Sequence, residues 1–183
     1  MSLLDQYVQL LLQHNRRANL IGPLDARAIR RDLIVDSVLP AEVLAPEGAL
    51  LDLGSGAGLP GIPLALRFRD TPVHLVEPRQ KRHTFLRIAV RRLGLDNVTV
   101  HGCRVEDLVV PDGVETVAAK AFRPLSELLE TYASLLPSSG LGYLYMSDDT
   151  WDERIVAAAG FELVGRRPHP ERPGRYGVVI RRG

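Results

Sequence analysis

A glycine-rich segment between a short apolar run and a helical pattern limits the folds open to this chain more than any other feature. Residues 49–53 are apolar apart from one aspartate and predict a buried strand. Residues 54–61, Gly-Ser-Gly-Ala-Gly-Leu-Pro-Gly, predict a turn that leads into a helix. A strand, a glycine turn and a helix in this order are typical of a nucleotide-binding loop. The pattern therefore predicts a ligand site at the carboxyl end of the first strand.

The alternation of strands and helices continues along the chain. We predict further strands at residues 73–77, 98–101, 116–119 and 143–146, and helices at residues 81–93 and about 126–136. Residues 161–164 and 176–180 predict a C-terminal antiparallel hairpin, with an antiparallel strand at an edge of the sheet. This order predicts an α/β fold with a doubly wound, mostly parallel, Rossmann-like sheet.

The residues before the first strand have a helical pattern of their own. Residues 3–18 predict an amphipathic helix, the Gly-Pro pair at 22–23 predicts a break, and residues 26–44 predict a second helix. We therefore expect an N-terminal helical extension at residues 1–45, followed by the α/β domain at residues 46–183.

Composition excludes several broad classes of protein. With 183 residues, of which 45% are apolar and 25% charged, we expect a globular domain and not a disordered chain. The single cysteine, Cys103, excludes a disulfide framework and a zinc cluster built on thiolates, which favours a reducing cytoplasm. The opening residues lack a signal-peptide pattern, and no apolar run approaches the ~18 residues of a membrane span. We expect a cytoplasmic protein without a metal site or a membrane segment.

The order of the glycines distinguishes between two kinds of cofactor. A dinucleotide fingerprint requires glycine at 54, 56 and 59, but the third glycine is Gly58 and residue 59 is leucine. The spacing Gly54-x-Gly56-x-Gly58 after the acidic strand residue Asp52 is typical of methyltransferases that bind S-adenosylmethionine (SAM). We therefore predict SAM as the cofactor, with Leu59 beside the loop, and consider a dehydrogenase the disfavoured alternative.

Two acidic positions after the next strands complete the predicted cofactor site. Glu77 ends the second strand, where a carboxylate can accept hydrogen bonds from both ribose hydroxyls. Residues 103–107, Cys-Arg-Val-Glu-Asp, follow the third strand, where an acidic side chain and a backbone amide commonly contact adenine. The alternative is that these residues belong to surface turns and cap helices.

Two common methyl-transfer chemistries leave marks that this sequence lacks. Attack by an aromatic carbon normally uses a Pro-Cys pair after the fourth strand, and attack by an exocyclic amine uses an Asn/Asp-Pro-Pro-aromatic turn. Residues 120–124 read Lys-Ala-Phe-Arg-Pro instead. The acceptor is then already nucleophilic, such as a ring nitrogen or an oxygen, and positioning alone can supply about 7–11 kcal/mol of barrier reduction.

Segments along most of the chain resemble one known family. The matching segments lie at residues 14–20, 35–37, 52–64, 81–82, 85–86, 103–106 and 119–122. The run Gly-Leu-Pro-Gly-Ile-Pro-Leu after the glycine loop is specific to that family. On these segments the chain resembles the glucose-inhibited division protein B family (GidB, also RsmG), bacterial methyltransferases of guanine N7 in 16S ribosomal RNA.

The resemblance implies a set of site residues and a partner. Cofactor contacts are implied at Gly54, Leu59, Glu77, Val105, Glu106 and Lys120. We expect Lys120, which replaces an arginine of the family, and Arg123 to face the reaction crevice as catalytic residues. Lys120 would orient the cofactor carboxylate or the substrate, and Arg123 would hold an RNA phosphate or guanine O6. The implied partner is 16S ribosomal RNA or the small subunit, with the oligomeric state undetermined.

Several alternatives remain open at this point. The cations at 120 and 123 could be exposed loop residues, and the basic series His83, Arg87 and Arg91 could be either a solvated helix face or a phosphate-contacting stripe. Arginines at 166, 167, 172 and 175 flank the predicted hairpin, and they could contact RNA or be solvated. The family's lysine after the fifth strand is replaced around residues 146–148, so one alternative function is a SAM-binding, RNA-associated protein without catalysis. A small-molecule methyltransferase on the same fold is the other alternative.

Overall fold

One sheet of seven strands forms the centre of the structure. The structure is a computed structural model, and it describes the backbone of residues 1–183 and every side chain except those of residues 16–18. The side chains of Arg16, Arg17 and Ala18 in the family-like segment thus lie outside the described residues. The strands are β1 (Ala49–Leu53), β2 (Val73–Val76), β3 (Val98–His101), β4 (Val114–Ala118), β5 (Leu141–Ser147), β6 (Phe161–Pro168) and β7 (Arg175–Arg182). Their order is β3-β2-β1-β4-β5-β7-β6, and β1 to β5 are parallel, which confirms the predicted α/β class.

Helices cover both faces of this sheet. They are α1 (Leu3–Ala18), α2 (Ala26–Ala28), α3 (Asp36–Val38), α4 (Pro40–Val43), α5 (Gly61–Arg67), α6 (Gln80–Leu93), α7 (Leu125–Leu135) and α8 (Glu153–Ala158). One buried cluster includes apolar residues of α1, α5 and α6, and a second cluster includes those of α7 and α8. No helix among the described residues has the length and apolar content of a membrane span. The six-residue helix α8 was not predicted from the sequence.

The N-terminal segment follows the sequence prediction in its first helix and departs from it in the second. Helix α1 begins with the capping box formed by Ser2 and Asp5. Most of residues 26–44, predicted as one helix, is helical, but a π-helical turn at Ile29–Val35 and a break before Pro40 divide it, so it is not one regular α-helix. Proline has no amide hydrogen to donate, so it starts a new turn at α4 and does not continue the previous one.

The predicted antiparallel hairpin is confirmed, and it forms one end of the sheet. The antiparallel strand is β7, which pairs with β5 on one side and with β6 on the other. Strand β6 forms the edge and runs in the direction of β1 to β5. Burial explains this order: residues 176–180 of β7 are all buried, whereas β6 alternates and is exposed in its second half, at residues 166–168.

The N-terminal segment packs against both the glycine loop and strand β7. The buried Tyr7 of α1 donates a hydrogen bond of 2.7 Å to the carbonyl of Ala57 inside that loop. On the other side of the segment, Leu39 and Pro40 pack directly on the backbone of Gly177 in β7. A methyl group added at Gly177 would lie 2.6 Å from Leu39 Cβ and from Pro40 Cδ. Close packing at β7 therefore requires the absence of a side chain there.

We predict that Gly177→Ala lowers the free energy of unfolding by about 1–3 kcal/mol, because the added methyl group overpacks this contact. Gly22→Ala is the matched control, since a methyl group there meets nothing within 4 Å, and we expect a change within about 0.5 kcal/mol. Urea unfolding followed by circular dichroism measures both values. Equal stability of the two variants would contradict the packing of the N-terminal segment on β7.

Candidate active site

The glycine loop lies between the end of β1 and the start of α5, at the carboxyl edge of the parallel strands. Gly54 and Gly56 have φ angles of +65° and +55°, which side-chain-bearing residues rarely adopt. The amide of Ser55 donates a 3.0 Å hydrogen bond to the carbonyl of Val76, which fixes the loop to the end of β2. The loop backbone is thus fixed in a conformation that requires glycine, without a Cβ atom, at positions 54 and 56.

Glu77, directly after β2, is hydrogen-bonded to this loop. Its Oε2 accepts from the amide of Gly56 at 2.9 Å, and its Oε1 accepts from the amide of Arg79 at 2.9 Å. The side chain is 3% exposed. Each carboxylate oxygen has a second lone pair, so the fixed Glu77 can also accept from a ligand hydroxyl. The sequence prediction of Glu77 as an acidic partner of the loop is consistent with this placement.

Asp52 at the end of β1 supports the loop from below. Its Oδ2 accepts a 3.0 Å hydrogen bond from the amide of Gly61 at the start of α5, and its Oδ1 has no hydrogen-bond partner among the described residues. Burial raises the pKa of Asp52 from 3.8 to about 7, while the Gly61 amide acts in the opposite direction. A methyl group at Gly61 would lie 2.2 Å from Leu75 Cδ2, so only glycine fits. Asp52 therefore has a structural role under the loop.

A cleft of about 450 Å³ opens at the ends of the first four strands. It is lined by Gly54, Pro78, Arg79, Arg104, Val105, Glu106, Phe122 and Arg123. The ring of Phe122 lies against the loop, since a methyl group added at Gly54 would be 2.6 Å from its Cδ2. A bare loop backbone, a fixed carboxylate and apolar side chains are the groups that the methionine, ribose and adenine parts of SAM require, so the residues fit that cofactor.

Arg123 and Glu106 form one wall of the cleft. Their side chains make an ion pair, and the Arg123 guanidinium lies 4.9 Å from the centre of the Phe122 ring. Glu106 is 59% exposed, so this pair is solvated and contributes little to stability. Both side chains can therefore exchange partners at small cost when a ligand enters.

Lys120 is positioned differently from the other predicted site residues. Its Nζ lies 2.7 Å from Asp36 Oδ2 and donates to the carbonyl of Leu33 at 3.3 Å, and it lies 5.7 Å from the Tyr145 ring centre. Burial lowers the pKa of Lys120, and the ion pair with Asp36 opposes that shift. The ammonium is therefore bound to the N-terminal segment and does not line the cleft.

The structure brings together some of the predicted site residues and separates others. Gly54, Val105, Glu106 and Arg123 line the cleft, and Gly56 is bonded to Glu77 at its base. Gly58 and Leu59 pack toward α5: a methyl group at Gly58 would meet Ile62 at 2.4 Å, and Leu59 joins the core on that face. Sequence reasoning missed Phe122, Arg79 and Arg104 as lining residues, and Asp36 as the partner of Lys120. For Asp36, Arg104 and Phe122 a signal was present, because all three fall in family-like segments.

No group of three or more histidine, cysteine, aspartate or glutamate side chains within the described part of the chain is arranged to hold a metal ion.

Solved methyltransferase structures share this fold. A SAM-dependent methyltransferase from Aquifex aeolicus aligns with a TM-score of 0.66 and 17% identity, over 92% of this chain and 97% of that one. Magnesium protoporphyrin IX methyltransferase from Synechocystis, solved with bound SAM, aligns with a TM-score of 0.65 and 18% identity, over 100% and 98% of the two chains. The fold is therefore that of the Rossmann-like SAM-dependent methyltransferases.

Sequence similarity identifies the family within that class. Residues 1–164 match the profile of the GidB family, described as rRNA small subunit methyltransferase G. The ribosomal RNA small subunit methyltransferase G of Granulibacter bethesdensis is 39% identical over 173 residues, which span 90% of this chain and 78% of the relative. That of Solibacter usitatus is 34% identical over 171 residues, or 93% and 80% of the two chains. The chain belongs to the GidB family, and SAM is its cofactor.

We predict that Lys120→Met lowers the free energy of unfolding by about 3–5 kcal/mol, because it leaves the carboxylate of Asp36 buried without its counter-ion. Adding Asp36→Asn in the same chain should recover most of that loss. Arg154→Met is the control, since it breaks an exposed pair with Asp152 and should cost at most about 1 kcal/mol. Chemical denaturation of the wild type and of these three variants gives the values. A loss for Lys120→Met no larger than that of the control would show that the pair with Asp36 is not a buried one.

Proposed function

We propose that this protein transfers the methyl group of SAM to N7 of a guanine in 16S ribosomal RNA, either in the free RNA or in the small subunit. The observation that carries the proposal is the strand-end cleft with its glycine loop and Glu77, in a chain of the GidB family. The substrate would place the reaction in the cytoplasm. We also propose residues 46–183 as the catalytic domain and residues 1–45 as its helical extension.

On the cofactor side, the proposal assigns one role to each part of the cleft. Backbone at Gly54 and Gly56 would contact the methionine part, with Gly58 and Leu59 holding the loop against α5. Glu77 would bind the ribose hydroxyls, and Val105 and Glu106 would contact adenine. These assignments are supported by the bare loop, by the buried carboxylate fixed by two amides, and by the apolar wall of the cleft.

On the acceptor side, the main task of the protein would be to position the guanine. Bound SAM supplies an electrophilic methyl group, and guanine N7 offers a lone pair without a proton, so the new N–C bond forms as the S–C bond breaks and no base is needed. The chain would hold the guanine in line and exclude water. Arg123, at the rim of the cleft, would leave Glu106 to bind a phosphate or guanine O6. Lys120 would act by holding Asp36 and the N-terminal segment at the same edge.

We predict that Gly56→Val abolishes SAM binding while most of the fold remains. The added side chain would stand next to Glu77, where the methionine and ribose parts are proposed to lie, since a Cβ at this position is 4.0 Å from Glu77 Oε2. Gly113→Val is the matched control: its φ of +75° imposes similar backbone strain, but a Cβ there meets nothing within 4 Å. Calorimetric titration with SAM and with NAD, together with thermal melts, tests the site. Unchanged SAM affinity in Gly56→Val, or tighter binding of NAD by the wild type, would contradict it.

We predict methyl transfer from labelled SAM to small subunits or to naked 16S ribosomal RNA, and none to a panel of metabolites. Borohydride reduction followed by aniline cleavage locates N7-methylguanine in the product. Arg123→Ala should lower the single-turnover rate and reduce the salt slope of RNA binding by about 0.7–0.9, as for one lost phosphate contact, with SAM affinity unchanged. Transfer to a metabolite alone would favour a small-molecule methyltransferase. RNA and SAM binding without any transfer would favour a non-catalytic protein.

A further inference from the structure

Helix α6 has an unusual charge composition. Its fourteen residues include five lysines and arginines and no acidic residue. The cations are Lys81, Arg82, Arg87, Arg91 and Arg92. Because the whole chain has a net charge of only +1, this helix concentrates positive charge that the rest of the surface balances.

The cations of α6 lie close together on one helix without ion-pair partners among the residues that the structure describes. Outside α6, six arginines pair with acidic side chains, and the other described arginines form no ion pair. The six pairs are Arg30–Asp5, Arg31–Asp32, Arg123–Glu106, Arg154–Asp152, Arg167–Glu42 and Arg181–Glu47. Among the described side chains, no cation of α6 forms an ion pair. The positive charge along α6 is thus not neutralised within the described part of the chain.

Two adjoining hollows run along the exposed side of this helix. One, of about 710 Å³, lies between α1 and α6 and is lined by Leu10, Gln13, His14, Ile88, Arg91 and Arg92. The other, of about 250 Å³, is lined by Thr84, Arg87, Ile88 and Arg91. Since they share Ile88 and Arg91, they form one trough, which we call the α1–α6 trough. Arg87, Arg91 and Arg92 are exposed along it.

The trough is well placed to continue the cofactor cleft. Helix α6 begins three residues after Glu77, and Arg79, its N-cap residue, lines the cleft. Fourteen residues make a helix about 21 Å long, directed away from the carboxyl edge of the sheet. Arg87 and Arg91 are one turn apart, with Cβ atoms about 5–6 Å from each other, which is comparable to the spacing of successive phosphates in a nucleic-acid strand.

The chemistry of the trough favours a phosphate backbone over other anions. Among its lining residues His14 is the one ring, and it packs on Phe85, so the trough offers phosphate contacts and no phenylalanine, tyrosine or tryptophan platform for stacking bases. The apolar residues of α6, among them Phe85, Leu86 and Ala89, are buried in the core. An anionic membrane is therefore disfavoured, because Ile88 is the one apolar residue of α6 among those that line the trough, and a single residue makes no apolar face to insert between lipids. His83, predicted with Arg87 and Arg91, packs instead on Gly102.

We infer that the α1–α6 trough binds the sugar-phosphate backbone of the substrate RNA beside the target nucleotide. The inference rests on the proposed function and adds to it the surface that holds the RNA. Arg87 and Arg91 supply the central phosphate contacts, and Arg92 supplies one at the distal end. The contacts give affinity without sequence preference, so sequence and shape are recognised elsewhere, at the cleft.

The test compares two double variants that remove the same charge. Arg87→Gln/Arg91→Gln alters the trough, and Arg154→Gln/Arg167→Gln removes cations that are already paired with Asp152 and Glu42. Binding of a 16S ribosomal RNA transcript and of a polyuridylate oligomer is measured over a salt series. We expect the trough variant to lose about tenfold in affinity for both RNAs at low salt, and its salt slope to fall by about 1.4, as for two single-strand phosphate contacts. The control variant should match the wild type in RNA affinity and in salt slope. Both double variants should keep the SAM affinity and the melting temperature of the wild type.

Three outcomes would overturn the inference. One is wild-type RNA affinity in the trough variant, and another is an equal loss in the control. The third is binding to phosphatidylglycerol vesicles that falls in the trough variant while RNA binding does not. Methyl transfer by the wild type is assayed separately. If transfer fails while the trough variant still loses RNA affinity, the proposed function fails and the trough remains an RNA-binding surface.

Discussion

The close passage of the glycine loop over the end of β1 is the constraint on which the rest of the molecule depends. Asp52 below the loop accepts from the Gly61 amide, and Glu77 beside it accepts from the Gly56 amide, so two carboxylates hold one stretch of backbone from two sides. The bond from Gly61 to Asp52 could not form with a bulkier residue at 61, because the space is filled by Leu75 and by Asp52 itself. The cleft exists because this backbone stays bare and fixed.

The N-terminal segment is part of the same construction. Tyr7 donates to Ala57 in the loop, Lys120 pairs with Asp36, and the Tyr145 hydroxyl donates to the carbonyl of Ser37 at 2.8 Å. These contacts join residues far apart in sequence at the edge of the sheet where the cleft opens. The segment at residues 1–45, which the sequence predicts as an extension, therefore packs against the edge of the sheet where the cleft opens.

The strands and regular helices could be predicted because their signals are local. Strands β1 and β3 and helix α1 have the predicted bounds. The π-helical turn at Ile29–Val35 has no local signal, and the place of β7 inside the sheet depends on which strand buries both faces. The pairing of Lys120 with Asp36 depends on the tertiary fold, so an exposed cation was an equally good interpretation of the sequence. The family-like segments marked both residues but could not show that they meet.

The buried Asp52 also couples folding to the proton concentration. Its carboxyl has a pKa of about 7 in the folded chain, because burial disfavours the charged form, against 3.8 when it is solvated. Between these values the folded chain holds a proton that the unfolded chain releases, so folding takes up a proton in that range. The contribution of this group to the free energy of unfolding is accordingly greatest below about pH 4, and declines as the pH rises toward 7. The residue that holds the loop in place thus makes the stability of the domain a function of acidity, and near neutral pH the molecule is divided between two protonation states.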